Sequence, residues 1–175
     1  SINYRNSDGN NLENVYYDNV YTDVSKNYTR TRINDEDSEN EDVEYKSSFQ
    51  KKFKKEGHKL TADLQFSSNI DNSSANIIDS ENGTDNTIND QTRKRQLYQT
   101  DYVLPIGKKG QFEAGYRGNF SNQLTDVIVY ENGIINTNYT NKLEYIEKVN
   151  AFYTQYGLKV NKFSYLLGLR WEGTN

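Results

Sequence analysis

The chain has 175 residues, a net charge of -4, no Cys and one His. That composition excludes disulfide frameworks, thiolate metal sites and any site built on two imidazoles, and it leaves no basic surface for a nucleic-acid partner. Hydrophobic residues reach only 33% and charged residues 26%, yet aromatics reach 13%, too many for a disordered chain. Apolar surface is therefore present but interleaved with polar residues. No stretch approaches the roughly 18 consecutive apolar residues of a transmembrane helix, and Ser1-Ile2-Asn3-Tyr4 does not read as a signal segment.

The period that recurs along the chain is two, the signature of strands with one apolar face. In chain order, a partial strand is expected at residues 2–5, followed by a turn at Ser7-Asp8-Gly9-Asn10, and a first full crossing at residues 15–33. Residues 43–54 alternate through Val43, Tyr45, Phe49 and Phe53. Residues 59–70 set Leu60, Ala62, Leu64 and Phe66 against Thr61, Asp63 and Gln65. Residues 93–106 carry Tyr98, Tyr102, Leu104 and Ile106 on one face. Residues 111–129 give the clearest run, with Phe112, Ala114, Tyr116 and Phe120 opposed by Glu113, Arg117 and Asn119. Residues 142–160 alternate through Phe152, Tyr156, Leu158 and Val160. Residues 162–171 set Phe163, Tyr165, Leu167, Leu169 and Trp171 against Ser164, Gly168 and Arg170.

Connections alternate in size. Short ones are Lys55-Glu56-Gly57-His58, Gly107-Lys108-Lys109-Gly110 and Val160-Asn161-Lys162, rich in residues that tolerate tight hairpins. Their centres at residues 57, 109 and 161 recur every 52 residues, so the repeat unit is a hairpin plus a long connection. Long polar loops are expected at residues 34–42, 71–91 and 131–141. Strands of about ten residues or more, short turns at one end, long loops at the other and a polar opposite face describe an antiparallel up-and-down transmembrane β-barrel. The chain is then a single all-β segment, residues 1–175, of about seven to eight strands of a larger barrel, with no second domain. Leu60, Leu64, Phe66, Phe112, Tyr116, Phe120, Phe163, Tyr165, Leu167, Leu169 and Trp171 are expected to face lipid. Asp63, Glu113, Arg117, Asn119 and Arg170 are expected to face the lumen.

Residues 43–64, 99–116 and 151–170, each a strand pair around one of the three short turns, resemble the barrel of the TonB-dependent receptors found in the outer membranes of Bacteroidota. The resemblance spans roughly residues 12–173. Members of that family carry a plug inside a barrel of about 22 strands and import large or scarce solutes with energy delivered by TonB. The resemblance implies a Gram-negative outer-membrane location and part of a solute-uptake barrel. Its partners would be outer-membrane lipid and the remainder of the barrel or a neighbouring barrel. TonB and a surface lipoprotein would bind through parts outside this chain. A non-transporting barrel serving as a structural or partner subunit, and a soluble secreted β-rich adhesin, are the alternatives.

No catalytic, cofactor or metal site is expected. The acidic stretch Asp35-Glu36-Asp37-Ser38-Glu39-Asn40-Glu41-Asp42 offers oxygens suited to Ca2+ but lacks the central Gly and spacing of an EF-hand, so it reads as a solvated loop. Asp63 with Glu113, and Asp101 with Arg117, are polar-face residues that could approach one another; such charges fill barrel lumens without catalysing. His58 reads as an exposed turn residue. Lys51, Lys52, Lys54, Lys55 and Lys59 surround a tight turn, where they suit lipid headgroups, and Arg93-Lys94-Arg95 suits either lipid phosphate or a solvated strand end.

Overall fold

A computed structural model describes residues 1–175. It is one antiparallel sheet of β1 (Ile2–Asn19), β2 (Tyr28–Lys52), β3 (Lys59–Asp79), β4 (Gly83–Ile106), β5 (Gly110–Glu131), β6 (Ile134–Ile135), β7 (Asn141–Val160) and β8 (Phe163–Thr174). Each strand pairs with the next, except that the two-residue β6 caps the end of β5 and β7 takes the main place beside it. This is the up-and-down all-β architecture that the alternation predicts. The only helical element is a 3-10 turn at Val24–Lys26, where the Asp23 carboxylate accepts from the Ser25 amide.

All three short turns sit at one end of the sheet. Asn161 (φ 53°) starts a two-residue turn between the paired Val160 and Phe163. Gly107 (φ 62°) opens the connection between Ile106 and Gly110. Gly57 (φ 75°) lies in the turn closed by Phe53 N–H donating to the His58 carbonyl at 3.0 Å. Positive φ favours Gly and Asn at these positions. The hairpins are staggered: Lys59 faces Val103 while β4 runs on to Ile106, and Gly110 faces Leu158 while β7 runs on to Val160. Such stagger accompanies strands tilted against a barrel axis.

Strand lengths depart from expectation. β2 has 25 residues, β3 21, β4 24 and β5 22, about twice the ~9–11 needed to cross a bilayer. Residues 34–42 lie inside β2, and residues 71–91 form the ends of β3 and β4 around a turn at residues 80–82. The expected loops are there sheet. Polar side chains on both faces erase the hydrophobic signal, while the backbone ladder, in which Asp37 pairs with Ser74 and Ser74 with Ile88, continues unbroken. The third expected loop is largely real: β6 and its flanks connect β5 to β7.

The chain start is also corrected. Residues 15–33 are not one crossing, because the chain reverses through residues 20–27 and β1 pairs back along β2. Ser7-Asp8-Gly9-Asn10 is strand interior, with Gly9 opposite Ser38, rather than a turn. The turn-like composition there is again two polar faces of one strand.

No packed core exists: Ala151 at 1% exposure, Asp79 at 8% and Gly118 are the only buried residues. No second layer covers either face, and Leu167 and Leu169 stand 78% and 77% exposed. A water-soluble sandwich would bury that face against another sheet. β1 and β8 each pair on one side only.

Candidate functional site: the two faces of the sheet

The registers run without a break, so paired residues share a face and parity carries across all the long strands. Through these ladders Leu60, Leu64, Phe66, Phe112, Tyr116, Phe120, Phe163, Tyr165, Leu167, Leu169 and Trp171 fall on one face. Asp63, Glu113, Arg117, Asn119 and Arg170 fall on the other. The grouping is geometric; it says which residues lie together.

The first face carries a continuous apolar band toward the turn end, with Ile33, Ile78, Ile88 and Ile128 among polar residues farther out, and two aromatic groups bound that band. Farther from the turns, Tyr45 and Phe66 have ring centroids 6.2 Å apart, Phe66 and Tyr98 5.7 Å, and Tyr98 and Phe120 5.8 Å. Tyr116 continues to Phe152 at 4.8 Å, and Phe152 to Trp171 at 5.9 Å. At the turn, Phe53 stacks on His58 at 4.0 Å, and the His58 Nε2 lies 2.9 Å from the Tyr102 hydroxyl. His58 is therefore half-buried among aromatics rather than an exposed turn residue. An apolar band between aromatic girdles is the outer surface expected of a membrane barrel.

The second face is mainly polar, with single apolar residues such as Leu97, Val103 and Val149 between its polar ones, and several of its carboxylates are held one by one. Asp63 accepts from the Ser48 hydroxyl at 2.6 Å, Asp42 from Asn69 at 2.8 Å, and Glu113 from Gln155 at 2.6 Å and from Gln111. Glu44 takes Gln65 and Lys46, at 2.7 and 2.8 Å. Arg170 donates to Glu172 at 2.7 Å. Asp63 and Glu113 are not brought together: Glu113 lies in the row of Val103 and Lys59, one end of β3 away from the row of Asp63 and Gln99. Asp101 does not pair with Arg117. It accepts instead from Gln99 at 2.9 Å and from the Tyr153 hydroxyl.

Tyr153 reaches Asp101 across an intervening strand. Its direct partner is Gly115, whose partner on the other side is Asp101, so the ring lies over the glycine. A Cβ at Gly115 would collide with that ring. Tyr153, Asp101, Lys59 and Glu113 border a recess of about 550 Å³ on this face near the turn end. Reading the sequence strand by strand misses this bridge, because it depends on the β5–β7 register, which the intervening connection sets.

Beyond the apolar band, Arg30 forms a two-pronged ion pair with Asp79, its Nε 2.9 Å from each carboxylate oxygen. Asp79 also accepts from the amides of Glu81 and Asn82, at 2.9 and 3.2 Å, and so fixes the β3–β4 turn. The guanidinium and these amides hold its carboxyl well below the usual carboxylate range. The acidic stretch 35–42 does not gather its oxygens: within β2, Asp35, Asp37, Glu39 and Glu41 project to one face and Glu36, Asn40 and Asp42 to the other. Strand geometry thereby disperses the donors that a Ca2+ loop would converge. Arg93-Lys94-Arg95 is likewise divided, Lys94 joining the aromatic face and both arginines the polar one.

A family model described as the outer membrane protein beta-barrel family matches residues 51–175. No curated protein matches the chain.

Proposed function

The chain belongs to the outer membrane protein beta-barrel family, and from that premise we propose that it forms part of the wall of a TonB-dependent receptor-type barrel that takes up solutes across a Gram-negative outer membrane. In this reading the aromatic face meets lipid, the polar face lines the water-filled interior, and further strands complete the sheet. The observation that carries it is the separation of faces: an uncovered sheet with one aromatic-bounded apolar band and, opposite it, a mainly polar surface with many side-chain hydrogen bonds. Likeness of the three hairpins to Bacteroidota receptors supports the finer assignment, with TonB and a surface lipoprotein as partners of the complete protein. The role is passage and recognition rather than catalysis, since the inward carboxylates of Asp42, Asp63, Asp101 and Glu113 are engaged by amide or hydroxyl donors.

The chain contains no native cysteine, so each single substitution places one labelling site in it, with any cysteine elsewhere in the full-length protein replaced by Ser. Probes at Leu167→Cys and Phe112→Cys should be quenched by lipid-soluble reagents, and those at Arg170→Cys and Glu113→Cys by water-soluble ones. Both sets reporting the same environment would overturn the wall assignment. Uptake is tested separately by crosslinking to TonB in cells, and a full-length protein that never crosslinks would leave the barrel but remove the receptor.

A further inference from the structure

Lys109 and Lys159 stand directly opposite one another at the turn end of the sheet. The ladder between β5 and β7 runs one step past Gly110 and Leu158, because the Lys159 amide donates to the Lys109 carbonyl at 2.9 Å. Both lysines continue the parity of the paired Gln111 and Gly157, which places them on the polar face. Like charges directly opposite in an antiparallel pair are destabilising, so the pair opposes folding unless an anion screens it.

No carboxylate stands beside them. Their same-face neighbours along and across the strands are Gln111, Gly157, Ser164 and Leu166, and neither lysine joins an ion pair. Glu113 is the first carboxylate inward on that face of β5, roughly 13 Å from Lys109 at the rise of a strand, and it is already held by Gln111 and Gln155. Lys52 and Lys59 also face each other, but Lys59 borders the recess that holds Glu113 and Asp101.

The pair sits within a longer basic rim. Lys55 Nζ donates to the Pro105 carbonyl at 2.6 Å, which holds the first short turn against the end of β4, and Lys108 and Lys162 occupy the second and third turns. All five lysines are exposed, and Glu56 in the first turn is the only acid within the three connections. From β3 to β8 the rim crosses four strand spacings, roughly 19 Å. An extended peptide of about six residues spans that distance at ~3.3 Å per residue. Carboxylates along such a peptide complement the rim, because each lysine is a point charge on a flexible stem. Polar-face parity turns Lys109 and Lys159 away from the apolar band, which favours a polypeptide over a lipid headgroup.

From this placement we infer that Lys109 and Lys159, with Lys55, Lys108 and Lys162 along the same rim, dock an acidic polypeptide segment across the turn-end mouth of the barrel. The inference rests on the proposal that the polar face lines the lumen.

The test uses full-length protein in detergent, titrated at low ionic strength with a fluorescent hexaglutamate peptide. Combining Lys109→Gln with Lys159→Gln should weaken binding on the order of tenfold, and it should leave thermal stability unchanged or raise it, since a repulsion is removed. Lys51→Gln with Lys94→Gln removes the same charge from the aromatic face and should leave the affinity nearly unchanged. Equal losses in the two double variants mean that net charge alone attracts the peptide, and unchanged affinity in the first overturns the rim as well. If the first variant keeps its peptide affinity but loses stabilisation by phosphatidylglycerol nanodiscs, the occupant is a headgroup and the polypeptide assignment falls. A probe at Gln155→Cys, on the polar face, separates this from failure of the premise. A lipid-exposed probe means that the face assignment was wrong, and a water-exposed probe with unchanged peptide affinity means that the rim alone was wrong.

Discussion

At Gly115 a missing side chain does the structural work. Tyr153 lies across it to reach Asp101, and a methyl group there forces either the ring or the strand aside. Overpacking of this kind costs about 1 to 3 kcal/mol, so Gly115→Ala should destabilise by that amount in a urea titration from lipid vesicles. In a Tyr153→Ala background the same change should be nearly neutral, because the colliding ring is gone. An equal loss in both backgrounds would mean that the ring does not lie over the glycine. Asp79 yields a pH prediction. Its carboxyl titrates below the usual range in the folded state, so its contribution is complete above the ordinary carboxylate pKa and disappears as pH falls through the depressed one. Amide protection at Glu81 and Asn82 should fall on strong acidification, and in Asp79→Asn it should already be low at neutral pH. Protection that is equal in wild type and variant at neutral pH would show that the ion pair does not fix the turn.

Among the strands, β5 carries the sharpest contrast. Tyr116 packs on Phe152 in the aromatic face, and Asn119 holds Arg95 on the polar one. Arg on the lipid face of a barrel costs about 2 to 4 kcal/mol near mid-membrane. Tyr116→Arg should show that loss in bilayer folding titrations, and Asn119→Arg should lose much less; equal losses would contradict opposite faces. This split was legible in the sequence because period two needs only one strand at a time. Elsewhere the same signal vanished. Residues 71–91 and 34–42 pair fully within β2, β3 and β4, yet Asn, Ser, Asp and Thr on both faces resemble a loop by composition. The reversal at residues 20–27 was hidden too, since Val15, Tyr17, Tyr21 and Tyr28 imitate one continuous run. The Tyr153–Asp101 bridge depends on the register between strands, and alternation within a strand does not fix register. Lys94 could have been separated from its neighbours by parity with Tyr98 alone.

Charge is polarised along the whole sheet. Nine of the fourteen lysines, at positions 51, 52, 54, 55, 59, 108, 109, 159 and 162, lie in or beside the three short turns, and Glu56 is the only acid within the turns themselves. Asp and Glu outnumber Lys and Arg in the opposite half of β1 to β4. Basic side chains beside a bilayer gain from anionic headgroups, so on the proposed wall assignment the turn end should meet the phospholipid inner leaflet and face the periplasm, as short turns do in bacterial barrels. On that orientation the acidic half should project beyond the outer leaflet as an extended sheet whose backbone is protected by pairing. Trypsin added to intact cells should therefore ignore the lysines of the short turns despite their number. It should cut after Lys26, in the exposed 20–27 connection where Lys26 makes only a long 3.8 Å contact with Asp23. Chymotrypsin should cut after Tyr139, 66% exposed between β6 and β7. The acidic residues 35–42 and 71–79, which offer neither enzyme a site, should also resist an endoproteinase specific for Glu and Asp added from the same side, since a strand hydrogen-bonded on both edges does not fit a protease cleft. Mass spectrometry of the fragments decides: cleavage at Lys54, Lys55 or Lys109 in unpermeabilised cells would invert the topology, and ready cleavage within residues 35–42 would show that the strands fray where the apolar band ends.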